Sequence, residues 1–204
     1  IGYNILIEIN PTYTHSQIPP HFSTVPIPAD YHYAKTKLAN EAGYRCIHIF
    51  DWDDVDVLKR MLSLNKQKIG AADCECRRMP IYLANEFLMI HHISGASSDH
   101  EFGYGLYYNG SLVSVMTFKE TDCEEYDIMR FCVHSDYDIP DAVNRIIDHF
   151  TSMMNIKEIT VYCDIAKFTG DEYASAGFRC IGYTDPRMIW SKKRWAVEDK
   201  PSSH

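Results

Sequence analysis

The chain has 204 residues, a formal net charge of −8 and 46% hydrophobic content, which suits one large folded domain or two small ones. It has no run of about 18 apolar residues able to span a bilayer, and its acidity argues against a broad nucleic-acid surface, which needs clustered Lys and Arg. The seven cysteines are odd in number and scattered, several inside strand-like runs, the pattern of buried reduced thiols in a cytoplasm-like compartment. No basic segment followed by an apolar h-region opens the sequence, so no secretory signal is read.

In chain order, residues 3–9 read as an apolar, β-branched strand with Glu8 inside it. Residues 10–29 hold Pro11, Pro19, Pro20, Pro26 and Pro28, a loop that cannot keep a regular helix. Asp30 is a candidate N-cap for a helix from Tyr31 to about Ala42, with Tyr31, Ala34, Leu38 and Ala42 on one face and Gly43 as its stop. "YRCIHIF" (44–50) is a second strand, and a helix follows from about Asp53 to Leu64. Residues 66–80 read as a connector, so the expected organisation is a small α/β unit over 1–66, a linker over 67–80 and a second domain over 81–204.

In the second part, 81–92 reads as a helix. Two alternating strands then meet at Asn109-Gly110, a strong hairpin signal. "YDIMRFCVH" (126–134) is the next strand. Pro140 fits the first position of a helix to about Met154, whose apolar stripe is Val143, Ile146, Ile147, Phe150 and Met154. "EITVYCDI" (158–165) is another strand, "GDEYASAGF" a short helix ending at Gly177, and "RCIGYT" and "RMIWSKKRW" are expected to close the sheet.

Several residues invite chemistry. Glu8 on an apolar strand is costly to bury unless paired or metal-bound, or else it faces solvent. His32 and Lys35 share a helix face. Asp51, Asp53 and Asp54 could offer a second carboxylate or cap a helix. Lys59, Arg60, Lys66, Lys68, Arg77 and Arg78 cluster within twenty residues, as a contact strip or a solvated face. Cys74 and Cys76 make one C-x-C, weak for zinc without a second ligand pair.

"ILIEINPTYTHS", "YHYAKTKLANEAGYRCIHIFDWD" and their spacing resemble the phage-encoded homing endonucleases related to very-short-patch-repair nucleases. "EFLMIHHISG", "YGLYYNGSLVSVMTF", "YDIMRF" and "DEYASAGF" resemble the degenerate GNAT (N-acetyltransferase) half that such proteins often carry. The resemblance implies an α/β chain: a truncated restriction-endonuclease-like N-terminal unit, whose upstream metal-binding Asp would lie before Ile1, and a GNAT-like mixed-sheet α+β domain. It implies Mg²⁺-dependent hydrolysis of DNA phosphodiesters, with Glu8 holding Mg²⁺, His15 as general base or water-orienting group, and His32 and Lys35 on the phosphate. Double-stranded DNA would be the partner, met by the basic residues at 59–78. A phage protein in bacterial cytoplasm, with no membrane association, is the implied setting. The family turn carries Gly and Trp where this chain has Pro11 or Thr12 and Thr14.

Two other readings stand beside that one: a catalytically inactive DNA- or protein-binding module, and a GNAT-type group transferase. For the last, the phosphate cradle is the test. GNAT enzymes hold pyrophosphate with a glycine-rich turn at a helix N-terminus, whereas "HSDYDIPDAVNR" has no glycine and carries Asp136, Asp138 and Asp141. Acetyl-CoA binding is therefore not expected from the sequence.

Overall fold

The computed structural model describes residues 4–11, 28, 30–63 and 65–185. These divide into two compact units: one built from residues up to 53 with 163–170 and 181–185, the other from 54–162 with 171–180.

In the first unit, strands β1 (Ile5–Asn10) and β2 (Arg45–Phe50) are parallel, joined through helix α1 (Tyr31–Glu41). A parallel pair needs such a crossover. The described residues form this single strand–helix–strand unit, and they do not show the truncated restriction-endonuclease-like unit expected there. Cys46, Ile47 and His48 of β2 are buried, whereas Leu6, Ile7 and Ile9 of β1 are exposed. The helix turns Thr36 and Ala39 inward and leaves Leu38 65% exposed, so the apolar stripe expected from Tyr31 to Ala42 is not its packed face. The reason is polar: the Thr36 hydroxyl lies 2.9 Å from His48 Nε2, and burying His48 requires such a partner.

A returning segment completes this unit. The Ala166 carbonyl accepts from the His48 N–H at 2.9 Å, and the Lys167 carbonyl accepts from Arg45 Nη2 at 2.7 Å. Lys167 Nζ donates to the His48 carbonyl and to the Asp53 carboxylate. The side chains of this ion pair are only 4% and 7% exposed.

The second unit opens with α2 (Val55–Met61), capped by the Asp54 carboxylate, which accepts from the N–H groups of Asp56 and Val57. The stretch expected as a linker carries β3 (Gln67–Lys68), a 3₁₀ turn (Ala71–Asp73) and β4 (Glu75–Met79). Its charges hid the strand: Glu75, Arg77 and Arg78 are exposed while Cys76 and Met79 are buried. After α3 (Ile81–His91) come β5 (Phe102–Tyr108), β6 (Ser111–Asp122) and β7 (Glu125–Val133). Then follow β8 (Tyr137–Asp138), α4 (Ala142–Met153), β9 (Glu158–Val161) and α5 (Asp171–Ser175). The main sheet is ordered β4-β5-β6-β7-β9, antiparallel except for the parallel β7–β9 pair. Asn109 and Gly110 turn the β5–β6 hairpin with φ of 49° and 80°, the left-handed pair that a two-residue loop wants.

Helix α4 buries Val143, Ile146 and Phe150 on one sheet face, where Phe150 meets Phe118 with ring centroids 4.3 Å apart. Ala84, Phe87 and Leu88 of α3 pack with Met79, Val115 and Cys132 in a second cluster. Pro140 lies two residues ahead of α4 rather than at its first position, and Asp141, with φ of 61°, takes the N-cap position without a side-chain capping bond. Residues 179–184, expected as a closing strand, form none; residues 187–195 lie outside the described residues.

Removing one partner of a buried ion pair strands the other charge. Lys167→Met is expected to destabilise the first unit by about 3–5 kcal/mol, with the double variant Asp53→Asn/Lys167→Met recovering part of the loss. Denaturant unfolding of the two variants checks it.

Candidate functional site

The register of the first unit brings part of the expected nuclease set together. Glu8 lies directly opposite His48 across the β1–β2 pair, and Lys35 on α1 reaches down to form an ion pair with the Glu8 carboxylate. Glu8 Oε2 is also 3.3 Å from His48 Nδ1. The His32 ring stands edge-on to His48, with centroids 5.1 Å apart. His15 lies outside the described residues. His48, which the sequence reading did not single out, is the centre of the cluster. Its place in the run "RCIHIF" hid it, since a histidine inside an apolar strand looks like core.

Electrostatics set the protonation states. Burial pushes His48 below the usual histidine value and outweighs the nearby Glu8, so the imidazole is neutral. The hydrogen bond to Glu8 holds Lys35 above its ordinary value. With Nδ1 facing a carboxylate, the proton belongs on Nδ1, and Nε2 accepts from the Thr36 hydroxyl.

This site does not suit Mg²⁺. That ion demands several oxygen ligands in octahedral array, but Asp53 is committed to Lys167 and Asp54 to the α2 cap. Among the described residues, the group able to gather round an ion near Glu8 is Glu8, Cys46 and His48, a nitrogen–sulfur–oxygen set.

The six basic residues expected to meet DNA have local partners. Lys59 pairs with Asp56 at 3.1 Å, Lys68 with Asp138 at 3.8 Å, and Arg77 with Glu75. Arg60 donates to the Ile90 carbonyl at 3.1 Å, and Lys66 to the Met61 carbonyl at 2.9 Å. Arg78 lies over the Phe102 ring, 5.2 Å from its centroid.

The second unit offers a different site, at β7. The β7–β9 pairing ends at Ile128↔Val161, yet β7 continues beside β6 to Val133. At that point the β6 register slips, Thr117 facing Arg130 and Phe118 facing Ile128. Met129 is thus an extra residue, a β-bulge, which kinks a strand and re-aims its side chains. Before the bulge, Tyr126 and Ile128 join the α4-side core; after it, Phe131 and Val133 do, while Cys132 joins the α3-side cluster. Strand alternation then places Arg130 with Cys132 on the α3 side.

Polar groups gather there. His100 Nε2 is 2.6 Å from Asn85 Oδ1 and its Nδ1 is 3.1 Å from Thr117 Oγ1. Burial, aided by the Arg130 charge, pushes His92 down to about 4 and lowers His100 as well. Arg130 itself is lowered by burial, with Tyr173 opposing the shift. Tyr173, on α5, sets its ring 6.4 Å from Phe131. Arg130 and His100 were not anticipated, since a bulge leaves no mark on strand periodicity.

The junction between β7 and α4 is closed by backbone pairing. β8 lies parallel to β3, the Gln67 N–H donating to the Asp136 carbonyl at 2.8 Å and the Ile69 N–H to the Asp138 carbonyl at 3.1 Å. Beside the first turns of α4 is an open cavity of about 570 Å³, where Lys68 and Arg145 share the lining with Asp141 and Asp148.

The chain is similar to three solved acetyltransferases. One is a ribosomal-protein-alanine N-acetyltransferase from Brucella melitensis biovar Abortus 2308 (10% identity, 58% of this chain and 99% of that one, TM-score 0.43). The second is an aminoglycoside acetyltransferase from an uncultured soil metagenomic sample, in complex with sisomicin (11% identity, 60% and 98%, TM-score 0.44). The third is a GNAT family acetyltransferase from Staphylococcus aureus subsp. aureus USA300_TCH1516 (12% identity, 57% and 99%, TM-score 0.41). No family model matches the chain, and no curated protein does.

The expected phosphodiester hydrolase reading is set aside; the solved structures to which the chain is similar are acetyltransferases. The geometry of the first unit agrees, since a single strand carboxylate bound to Lys35 is not a Mg²⁺ centre. The sheet is mixed, with helices on both of its faces, as expected for this part of the chain. No helix among the described residues is long and apolar enough to cross a membrane.

A histidine whose folded pKa lies below its ordinary 6.5 stabilises the fold fully above that value and loses this stabilisation as pH falls towards the folded pKa. His91 and His92, both at about 4, should therefore lower the melting temperature as pH drops from about 6.5 to about 4. His92→Gln is expected to flatten that slope in thermal melts taken across the window, and an unaltered slope would count against a buried neutral His92.

Proposed function

We propose that the second unit is a group transferase of the GNAT type, moving an acyl group from a thioester donor to an amine at the opened edge of β7. One observation carries this reading: the Met129 bulge and the end of β9 pairing coincide, so five residues of β7 run on beyond their parallel neighbour. An extended donor arm can align along such an edge by strand-like hydrogen bonding.

In the reaction, the amine nitrogen forms a bond to the thioester carbonyl carbon and the carbon–sulfur bond breaks. The amine's surplus proton passes to solvent. Tyr173 would give a proton to the leaving sulfur and regain one from solvent, and Arg130 would offset charge growing on the carbonyl oxygen. His100, engaged at both ring nitrogens, is a positioning residue on the α3 side. This reading restores the acyl donor that the acidic junction had argued against.

A second reading, a GNAT-fold module without a productive donor, is favoured by that junction. Pro140 has no N–H to offer, and Asp138 and Asp141 place negative charge near the α4 N-terminus, where the donor's phosphates would lie.

Calorimetry with acetyl-CoA separates the two. The transferase reading expects saturable binding that tightens about tenfold in Asp138→Asn/Asp141→Asn, from roughly 0.3–1 kcal/mol per removed carboxylate. Once an amine acceptor is found, Tyr173→Phe should keep that binding and slow turnover by about 10²–10⁴-fold. Absence of binding in both wild type and the double variant would overturn the transferase reading in favour of the module.

A further inference from the structure

We infer that Cys46, His48 and Glu8 of the first unit form a binding site for a borderline-soft divalent metal of the Zn²⁺ type. The donors come from two adjacent strands: Cys46 and His48 alternate on one face of β2, and Glu8 is the cross-strand partner of His48. One ligand atom from each lies within 4.8 Å of the other two. Cys46 Sγ and His48 Nε2 are 3.6 Å apart. Zn–S of about 2.3 Å and Zn–N of about 2.0–2.1 Å at a tetrahedral angle put sulfur and nitrogen about 3.5 Å apart, so this edge already has the length such a centre needs.

The imidazole is prepared as a ligand. It is fully buried and neutral, and Glu8 facing Nδ1 keeps the proton there and leaves the Nε2 lone pair as the donor; in the metal-free chain that lone pair accepts from the Thr36 hydroxyl at 2.9 Å, which a metal would displace, and Cys46 Sγ lies 3.6 Å away. Metal-bound histidines commonly carry this carboxylate or amide support behind them. Asn10 supplies a second, independent sign. It is 0% exposed, its amide nitrogen lies 3.3 Å from His48 Nδ1, and its Oδ1 is buried with no partner. A buried oxygen without a hydrogen bond costs about 1–3 kcal/mol; turning the amide over, at the loss of its 3.2 Å bond to the Glu8 carbonyl, would bring this oxygen to the Nδ1 proton once Glu8 turns to the metal. Thiolate and imidazole select Zn²⁺-like ions over Mg²⁺.

Lys35 is the competitor. Its ammonium holds Glu8 in the metal-free chain, and its side chain is 40% exposed, so it can withdraw to solvent. Zn²⁺ would displace the Cys46 proton, which burial holds on the sulfur, and release it to solvent.

The test is Co²⁺ titration of the full chain with a non-thiol reductant, followed by Zn²⁺ competition. The expected result is one metal per chain, with a thiolate-to-cobalt charge-transfer band that Zn²⁺ abolishes. Cys46→Ser should lose the band, whereas Cys123→Ser/Cys180→Ser, at two exposed thiols, should keep it. Glu8→Gln should weaken Zn²⁺ binding at least about tenfold. Lys35→Met leaves the buried donors untouched and should tighten it. No band in wild type, a band that survives Cys46→Ser, or a Lys35→Met chain that binds no tighter would each overturn the proposal.

Discussion

One extra residue in β7 decides which face of the sheet Arg130 takes. Without the Met129 bulge, Tyr126, Ile128, Arg130 and Cys132 would share a face, and Arg130 would be driven into the aromatic core around Phe118 and Phe150. A guanidinium in that core would be unpaired and very costly. The slip moves Arg130 to the side of Thr117, His100 and Asn85, and returns Phe131 and Val133 to the core. The same kink falls where β9 stops pairing. Core packing, the polar group at Arg130 and the open strand edge thus have one geometric origin.

The first unit is organised on a different principle. Its buried positions include His48, Thr36, Asn10 and Lys167, so polar satisfaction, more than apolar area, fixes its arrangement. His48 is tied from three directions: its Nε2 to Thr36, its backbone N–H to Ala166, and its Nδ1 face to Glu8. Such networks specify a single geometry when complete and are expensive when broken. The unpartnered Asn10 Oδ1 is a gap in that network.

Much of the fold was legible. The Asn109-Gly110 hairpin, α3, β7 and the crossover helix α4 follow from turn chemistry and periodicity, and Val143, Ile146 and Phe150 are buried as their spacing demands. What was hidden has physical causes. β4 escaped because three of its five residues are charged or exposed and its register depends on β5. The inward face of α1 was misread because a polar helix face can be the buried one when it meets a polar strand. Glu8 and Lys35 were each legible as candidate site residues, but neither their ion pair nor His48 beside Glu8 was. The nuclease assignment failed because strand-and-turn motifs report local order, whereas the metal chemistry requires a second carboxylate that the fold spends on Lys167.

Beyond Met129, β7 leaves its β9-side edge unpaired by β9, and the proposed transferase would seat its donor there. Amide hydrogen exchange resolved along β7 tests it directly. The account predicts that the β9-side amides of 129–133 exchange much faster than those of 125–128 in the free chain and become protected when acetyl-CoA is added. Equal protection along the whole strand, unchanged by acetyl-CoA, would contradict it.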